Sequence, residues 1–426
     1  MHTNYVFLLN ADKSPLGMIH PARARELQDK KKAAVFRQYP YVLILKNQVN
    51  SVIKPCILKI DPGSKWTGFA IQCGEEIIFR MELQHRGEII KLDLQKRAGF
   101  RRGRRSRNLR YRIKRFNRRK PDCWLAPSLR HRLLTVETWI KRFMRYCPIT
   151  AIEIEQVRFD TQKMNNPEIS GVEYQQGTLW GYEVRQYLLE KWGNECAYCG
   201  AKNVPLEVEH IKPKSSGGSD RVSNLTLACH CCNQKKGDKN VTEFVKDKAV
   251  LDKILINAKL PLKDVSAVNS TRFAIVETAK KLCNDVKCWT GGRTKFNRCQ
   301  QGLEKSHSID AACVGQSGSN IKIKTLRALI VVCKGHGSRQ ARRANKYGFP
   351  AVQKAKAVFK HATAGDLVRV TIDSDRKNVN KGKYVARVKT PTKNGVEVVI
   401  KGFRVGVSSM RNVSFIQRSD GYAYSF

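Results

Sequence analysis

The pattern of apolar and polar residues predicts a small domain at the start of the chain. Residues 3–10 and 40–46 are apolar runs of strand length, and residues 22–33 between them form a basic stretch that favours a helix. We therefore predict a strand, a helix and a strand, with the domain closing near Pro55.

The next apolar runs predict three successive hairpin strands. Residues 56–61 form a strand that ends at Asp61, a Pro-Gly turn follows, and a second strand runs through Gly68. Residues 76–83 supply the third strand. Hairpin strands that begin with an aspartate at a strand end are typical of the RNase H-like fold, so we predict an α/β core of that kind.

Helices and further strands follow this core segment. The pattern predicts a helix over 133–146 and then a strand over 149–155. A second helix near 272–283 precedes a strand near 286–289 and a helix that contains His307 and Asp310. Beyond residue 321 the chain is basic, and its alternating runs predict a small β-barrel or sheet over 366–372, 382–388 and 397–403.

Residues 97–120 interrupt this pattern with a dense run of positive charge. Thirteen of these 24 residues are Arg or Lys and none is acidic. A charge run is often a solvated or disordered tail, but this one lies between two strands of one predicted sheet. We predict a helix that neutralises nucleic-acid phosphates on several sides, through Arg97, Arg101, Arg102, Arg104, Arg105, Arg107, Arg110, Arg112, Arg115, Arg118 and Arg119.

Composition supports a polyanionic partner. The 426 residues include 80 Lys and Arg against 36 Asp and Glu, a net charge of +44. Such self-repulsion favours nucleic acid as partner, with an anionic membrane surface as the alternative. No apolar run is long enough for a membrane span, and the first residues lack the pattern of a secretion signal. Ten of the 14 cysteines are scattered among apolar neighbours, so we expect an intracellular, cytoplasmic protein with reduced thiols.

The remaining four cysteines have the spacing of a zinc site. Cys196 and Cys199 form one pair, and Cys229 and Cys232 form the second. Two such pairs supply the four thiolates of a tetrahedral Zn²⁺ site. The gap between the pairs exceeds that of a usual zinc ribbon, so we predict a ββα unit that the metal holds closed.

The segment between the cysteine pairs carries residues suited to phosphodiester hydrolysis. His210 is a candidate general base, because imidazole titrates near neutral pH. Glu209 and Asn233 offer oxygen ligands for Mg²⁺, and we expect Asn224 to hold His210 by a loop hydrogen bond. The alternative is a purely structural zinc ribbon in which the histidine has no role.

A second set of candidate residues is spread along the predicted core. Asp61 ends the first strand, Glu155 ends a later one, and His307 and Asp310 share one face of a helix. Three converging carboxylates repel each other unless cations lie between them, so we predict two Mg²⁺ ions at this site. Glu153 lies two residues before Glu155 on the strand, so both side chains point to the same face. Strand alternation therefore does not show which of the two belongs to the site.

These motifs resemble the IscB family of transposon-encoded, RNA-guided DNA endonucleases, relatives of the CRISPR type II effectors. Ile60-Asp61-Pro-Gly-Ser resembles the first RuvC motif, Glu155-Gln-Val-Arg158 the second and His307-Ser-Ile-Asp310 the third. The arginine tract resembles the bridge helix, and the zinc unit resembles an HNH insertion. Pro15-Leu-Gly-Met18 departs from the family's Pro-Leu-Met-Pro signature, which affects the local turn and not the nuclease residues.

The resemblance implies roles for these residues. Asp61, Glu155, His307 and Asp310 would cut the displaced DNA strand, and His210 with Glu209 and Asn233 would cut the strand paired to the guide. Glu155 is favoured over Glu153 by this alignment. The implied protein is a monomeric, Mg²⁺-dependent ribonucleoprotein that binds a guide and scaffold RNA (omega RNA) and double-stranded target DNA with a short adjacent motif, without a membrane.

The resemblance also implies a domain order with RuvC segments that are split by the bridge helix and the HNH unit. The predicted segments are 1–54 (N-terminal domain), 55–95 (RuvC I), 96–122 (bridge helix), 123–184 (RuvC II), 185–245 (HNH), 246–320 (RuvC III) and 321–426 (RNA and adjacent-motif contacts). Two other functions fit the composition: a protein-guided HNH endonuclease of homing or restriction type, and a basic RNA-packaging or ribosome-associated protein with a structural zinc.

Overall fold

The computed structural model divides into two compact units. It describes residues 4–50, 53–106, 124–156, 182–259, 263–335, 362–376, 378–392 and 394–426. Unit 1 comprises Met1–Glu155, Ala274–Trp289 and Arg293–Phe426. Unit 2 comprises Gln156–Phe273 and Thr290–Gly292.

Strands dominate both ends of the described chain, and most of the helices lie between them. The strands are β1 (Val6–Leu9), β2 (Pro15–Ile19), β3 (Ala33–Arg37), β4 (Val42–Leu45), β5 (Cys56–Pro62), β6 (Trp66–Cys73), β7 (Glu76–Gln84), β8 (Ile149–Glu155), β9 (Leu206–His210), β10 (Leu225–Cys229), β11 (Asp285–Trp289), β12 (Lys322–Ile323), β13 (Leu329–Cys333), β14 (Leu367–Ile372), β15 (Gly382–Pro391), β16 (Val396–Ile400), β17 (Phe403–Val407), β18 (Val413–Gln417) and β19 (Tyr422–Ser425). The helices are α1 (Pro21–Asp29), α2 (Gly87–Ser106), α3 (Pro127–Tyr146), α4 (Tyr182–Lys191), α5 (His230–Lys236), α6 (Val241–Phe244), α7 (Lys248–Lys259), α8 (Lys263–Lys280), α9 (Gly291–Gln300) and α10 (His307–Ala312).

The core of unit 1 is one large mixed sheet with the strand order β11-β8-β5-β6-β7-β13-β19, and β12 pairs with β7. The three predicted hairpin strands are confirmed, since β5, β6 and β7 pair antiparallel in sequence. β8 then pairs parallel to β5, β11 parallel to β8 and β13 parallel to β7. The final strand, β19, pairs antiparallel with β13, an element that the sequence pattern did not indicate.

Helix α3 contributes its apolar stripe to the core of this sheet. Val136, Trp139, Ile140 and Phe143 recur at helical spacing and are buried. Phe143 stacks obliquely on Phe69 of β6, with 5.7 Å between ring centroids. Each fully buried side chain of this size contributes about 2–3 kcal/mol of hydrophobic stabilisation, so α3 is firmly fixed to the sheet.

Two smaller sheets flank this core in the sequence. The N-terminal one has the order β2-β1-β4-β3, and the C-terminal one has the order β17-β16-β15-β14-β18. The predicted basic helix over 22–33 is partly wrong: α1 ends at Asp29, Lys31 has a left-handed φ of 53°, and Ala33 begins β3. Backbone pairing of β3 with β4 outweighs the helical propensity of the lysine run.

The arginine tract is only partly within the described residues. α2 carries Arg97, Arg101, Arg102, Arg104 and Arg105, while Arg107, Arg110, Arg112, Arg115, Arg118 and Arg119 lie outside them. The helix that carries these arginines begins at Gly87, nine residues before the predicted bridge-helix segment 96–122. Residues 88–96 are mostly good helix formers, and Glu88 lies in the first turn, where a negative charge stabilises a helix.

Unit 2 contains the predicted ββα arrangement. β9 and β10 pair antiparallel, with His210 opposite Leu225 and Leu206 opposite Cys229, and α5 begins directly after β10. A separate hydrophobic core, with Leu188, Leu206, Leu227 and Ile254 among its members, supports this unit. Within the described residues, no helix is both long enough and apolar enough to cross a membrane.

Candidate functional sites

The four spaced cysteines meet in unit 2. Their sulfur atoms all lie within 4.8 Å of one another, and Cys199 Sγ lies 3.7 Å from Cys229 Sγ. Backbone hydrogen bonds aimed at Cys196 outweigh the effect of its burial and lower its thiol pKa to about 7. The donor set and its closeness fit one tetrahedral zinc ion.

His210 lies at the end of β9 and has a carboxylate partner. Its Nε2 lies 2.7 Å from Asp220 Oδ1, and Lys214 Nζ lies 2.8 Å from Asp220 Oδ2. Hydrogen bonds from Lys214 and His210 lower the pKa of Asp220. An ionised carboxylate only accepts hydrogen bonds, so Nε2 carries a proton, and in the neutral imidazole Nδ1 holds the lone pair.

Asn224 has a different role from the one that we expected. Its side chain accepts a hydrogen bond from Lys212 N at 2.9 Å and donates to Lys212 O and Ser219 O, both at 2.9 Å. It therefore fixes the backbone of the loop after His210 and not the imidazole. Asp220 supplies the contact that we had assigned to Asn224.

Glu209 and Asn233 line one cleft together with His210. This cleft has a volume of about 340 Å³ and is also lined by Asp238. Glu209 accepts a hydrogen bond from the buried Lys236 at 2.7 Å, and Asn233 donates to Glu207 at 2.5 Å. Glu209 and Asn233 each keep one oxygen outside these hydrogen bonds, so the cleft offers hard oxygen ligands beside an imidazole.

In unit 1, strand register brings Asp61 and Glu155 next to each other. β5 and β8 pair in parallel as far as Ile60 opposite Ile154, and Asp61 and Glu155 are the next residues. Two residues that each follow one member of a paired couple on neighbouring strands have side chains on the same face of the sheet. These two acidic residues therefore end neighbouring strands on one face of the sheet.

Helix α10 lies against this face and carries the two remaining candidates. His307 Nδ1 lies 3.2 Å from Asp61 Oδ2, and Arg298 donates to Asp310 Oδ1 at 2.8 Å. Burial and the charge of Asp61 raise the pKa of Asp310 to about 6. Burial lowers the pKa of His307, but the hydrogen bond and the charge of Asp61 outweigh it and give a net increase. Asp61, His307 and Asp310 thus interact at one place.

Two residues that sequence reasoning missed make this approach of α10 possible. A Cβ on Gly68 would lie 1.8 Å from His307 O, so only glycine allows the helix so near β6. Gly68 is opposite Asp61 on one side and Glu82 on the other. Glu82 accepts a hydrogen bond from Ser308 N at 3.0 Å. Strand alternation places Glu82 on the face of Asp61 once the register is known.

Glu153 has a structural environment that distinguishes it from Glu155. Its carboxylate lies 3.6 Å from the fully buried Lys59 and accepts a hydrogen bond from Ser317 at 2.7 Å. Lys59 also donates to Ala312 O and Val314 O, so this ion pair ties β5 and β8 to the end of α10. Removing either charge would leave the other buried without compensation.

The carboxylates of unit 1 do not form a tight set. Within the described part of the chain, two groups of three or more potential ligands have all donor atoms within 4.8 Å: the four cysteines, and His85 with His131 and Cys333. Asp61, Glu155 and Asp310 are not a group of this tightness, and whether they share cations stays a prediction. Mutual repulsion keeps like charges apart, and Arg298 and His307 hold two of them individually.

The arginines of α2 whose side chains are described are exposed. Arg97, Arg101 and Arg105 follow one another at intervals of four residues and therefore share one face of the helix. Like charges at this spacing destabilise an isolated helix by about 0.2–0.5 kcal/mol for each pair. A polyanion bound along this face would remove that repulsion.

Two parts of the chain match known protein families. Residues 6–177 match the family described as RRXRR protein, and residues 196–239 match the HNH endonuclease family. A search of curated proteins gave no match. The second match contains all four cysteines together with Glu209, His210, Asn224 and Asn233.

Several solved Cas9 structures are similar to the chain. Cas9 of Streptococcus thermophilus in complex with the GGAA PAM is 14% identical, covering 61% of this chain and 32% of that one, with a TM-score of 0.23. The Type II-C Cas9 of Actinomyces naeslundii is 13% identical, covering 71% and 50%, with a TM-score of 0.18. The chain thus spans about a third to a half of these proteins' length. From the two family matches, the chain carries an RRXRR protein region followed by an HNH endonuclease domain, a combination consistent with an IscB- or Cas9-like nuclease.

Proposed function

We propose that this chain is an RNA-guided, Mg²⁺-dependent DNA endonuclease of the IscB type that cuts both strands of its target. The observation that carries the proposal is the presence of a histidine–carboxylate site in each unit. His210 pairs with Asp220 in unit 2, and His307 pairs with Asp61 in unit 1. Two separate hydrolytic sites fit cleavage of two antiparallel strands, one site for each strand.

The HNH cleft would cut the guide-paired strand. His210 Nδ1 would take the proton of an attacking water while Asp220 stabilises the resulting imidazolium. Glu209 and Asn233 would hold Mg²⁺, and Lys236 orients Glu209 from the buried side. When bound, the ion would polarise the scissile phosphate and stabilise the leaving oxygen. The cysteine cluster would keep β9, β10 and α5 together around a zinc ion.

The RNase H-like face of unit 1, here taken as a RuvC site, would cut the displaced strand. Asp61, Glu155 and Asp310 would hold Mg²⁺, and the donor set fits this role because the raised pKa of Asp310 reflects burial beside a second negative charge. A cation there would relieve the repulsion. His307 would orient Asp61 and exchange a proton with the reacting water. Glu155 is the third ligand and Glu153 the structural partner of Lys59, because Glu153 is already engaged in a buried ion pair.

RNA guidance is supported by charge and by resemblance. The exposed arginines of α2 provide a continuous cationic face, and the chain as a whole carries a net charge of +44. Base pairing by a guide would supply sequence specificity, while the protein would read backbone shape and a short adjacent motif through residues 321–426. The working form would be a monomeric ribonucleoprotein.

Strand-resolved cleavage tests this proposal. The full chain, purified with RNA from its own genomic locus, should cut both strands of a matching duplex with Mg²⁺ present. Asp61→Ala should leave nicking of the guide-paired strand, and His210→Ala nicking of the other. Loss of both cuts in either single variant, with RNA binding retained, would contradict two independent sites. Unchanged cutting after ribonuclease treatment would instead indicate a protein-guided HNH endonuclease.

A further inference from the structure

A second cluster of metal-binding side chains lies in unit 1, away from the four cysteines. We propose that His85, His131 and Cys333 form a binding site for a late transition-metal ion of the Zn²⁺ class, with water as the fourth ligand. The donor atoms of the three residues all lie within 4.8 Å of one another. Two imidazoles and one thiolate are a ligand set that zinc accepts readily.

Three separate elements bring these ligands together. β7 and β13 pair in parallel with Gln84 opposite Val332, so the next residues, His85 and Cys333, lie side by side. His131 reaches them from α3, and its ring is nearly perpendicular to that of His85 at 6.4 Å between centroids. Zinc bond lengths of about 2.0–2.3 Å place tetrahedral ligands roughly 3.5 Å apart. Movements of the side chains by about an ångström would therefore bring the three donor atoms within bonding distance of one ion.

His85 is already oriented as a metal ligand would be. Its Nε2 lies 2.8 Å from Thr67 Oγ1, and a partner of this kind fixes the ring of a metal-bound histidine. Its Nδ1 is buried and has no hydrogen-bond partner among the residues that the structure describes. A buried polar nitrogen without a partner costs free energy, and binding of an ion at Nδ1 would remove that cost.

Burial is the largest influence on the pKa of all three groups. It lowers the pKa of His131 to about 4 and that of His85 well below its usual value. It raises the pKa of the Cys333 thiol to about 12, which opposes the thiolate, while the positive charge of Arg86 acts in the opposite direction. The closeness of the three donor atoms, and not their titration, therefore indicates the site.

A metal at this site would link α3 to the ends of β7 and β13. Arg132, one residue after His131, donates to Pro62 O at 2.8 Å, immediately beyond Asp61. The ion would thus stabilise the helix that supports the strand end of the proposed RuvC site. This role is structural and is independent of whether the chain cuts DNA.

Zinc content of the purified full chain tests the proposal. We expect about two zinc ions per chain after dialysis against metal-free buffer. His131→Asn should remove one and Cys199→Ser should remove the other, so that the double variant retains almost none. Cys147→Ala is the matched control, because Cys147 is a buried thiol of the same unit outside the cluster and should retain both ions.

A second measurement distinguishes loss of the zinc ion from loss of folding in a variant. In the Cys199→Ser background, added Zn²⁺ should raise the melting temperature of unit 1, and His131→Asn should abolish that rise while the circular dichroism spectrum stays unchanged. One zinc ion per chain, lost in Cys199→Ser and unaffected by His131→Asn, would overturn the proposal. So would a zinc-dependent rise in melting temperature that survives both His131→Asn and His85→Ala.

Discussion

His210 and Asp220 form a hydrogen-bonded pair, with 2.7 Å between Nε2 and Oδ1. The pair determines which imidazole nitrogen holds the proton, because the carboxylate accepts and does not donate. Lys214 holds the second oxygen of Asp220 at 2.8 Å, which restricts rotation of the carboxylate. The histidine proposed as general base is therefore oriented before substrate binds.

Asp220→Asn should slow cutting of the guide-paired strand by at least about tenfold. The amide can donate to Nε2 and so favours the wrong tautomer, but the loss should remain below the roughly 100- to 10,000-fold that removal of the base itself costs. The measurement is single-turnover cleavage in an Asp61→Ala background. Asp252→Asn, an exposed carboxylate on α7, is the control and should cut at the parent rate. Equal rates for both variants would remove Asp220 from the mechanism.

Gly68→Ala should slow cutting of the displaced strand by about 100-fold while sparing the other strand. The new Cβ would lie 1.8 Å from His307 O, so α10 must move away from β6, and an ångström of misplacement costs roughly 100-fold in rate. Overpacking should also reduce the free energy of unfolding by about 1–3 kcal/mol. Gly406→Ala, in β17 with no atom within 4 Å of its Cβ, is the matched control. A Gly68→Ala enzyme with normal cutting of both strands would contradict the observed approach of α10.

Asp310→Asn should stabilise the protein above pH 6 when no divalent cation is added. The pKa of Asp310 is raised to about 6, so the folded state binds this proton more tightly than the unfolded state, whose carboxyl titrates near 3.9. Its ionisation therefore makes stability fall as pH rises from about 4 to about 6. The difference in unfolding free energy between variant and parent should grow across that window, to at most about 2–3 kcal/mol.

Addition of Mg²⁺ gives the complementary result for Asp310. Above pH 6, Mg²⁺ should raise the melting temperature of the parent protein more than that of Asp310→Asn, because only the parent offers the full carboxylate set. Asp29→Asn, a change in α1 that lies far along the sequence from this site, should behave like the parent. An equal Mg²⁺ effect in the parent protein and in Asp310→Asn would argue against a cation at Asp310.

Cys199→Ser should unfold the HNH unit locally by removing one ligand of the zinc site. Binding energy at a structural zinc contributes directly to folding, so unit 2 should become sensitive to proteolysis and the guide-paired strand should remain uncut. Nicking of the displaced strand should persist. Cys231→Ser, which changes an exposed cysteine outside the cluster, should leave both cuts intact.

Arg101→Ala combined with Arg105→Ala should weaken RNA binding and reduce its salt dependence. Each phosphate contact adds close to one unit to the slope of log affinity against log salt, so the double variant should lose roughly one to two units. Lys248→Ala with Lys253→Ala changes the net charge equally at α7 and serves as the control. An unchanged slope in the arginine variant would exclude this face of α2 from phosphate contact.

Short spacings between residues in the sequence predicted the candidate chemical groups of this protein. Two CxxC pairs, Glu209 beside His210, and a helix with His307 and Asp310 three residues apart each lie within one or two elements. The three hairpin strands and the ββα order were also predictable, since apolar runs and turns are local signals. The start of α2 and the end of α1 were missed because helix boundaries depend on neighbouring strands and capping.

Contacts between residues far apart in the chain were settled only by the fold. Loop geometry makes Asp220, and not Asn224, the partner of His210. Strand geometry makes Glu153 the partner of Lys59. The meeting of His85, His131 and Cys333 depends on parallel pairing between strands some 250 residues apart. The sequence by itself determined which reactive groups exist and their order, because spacing fixes local geometry. Tertiary structure decided which of them face each other, because register and helix packing are set by burial of the whole core.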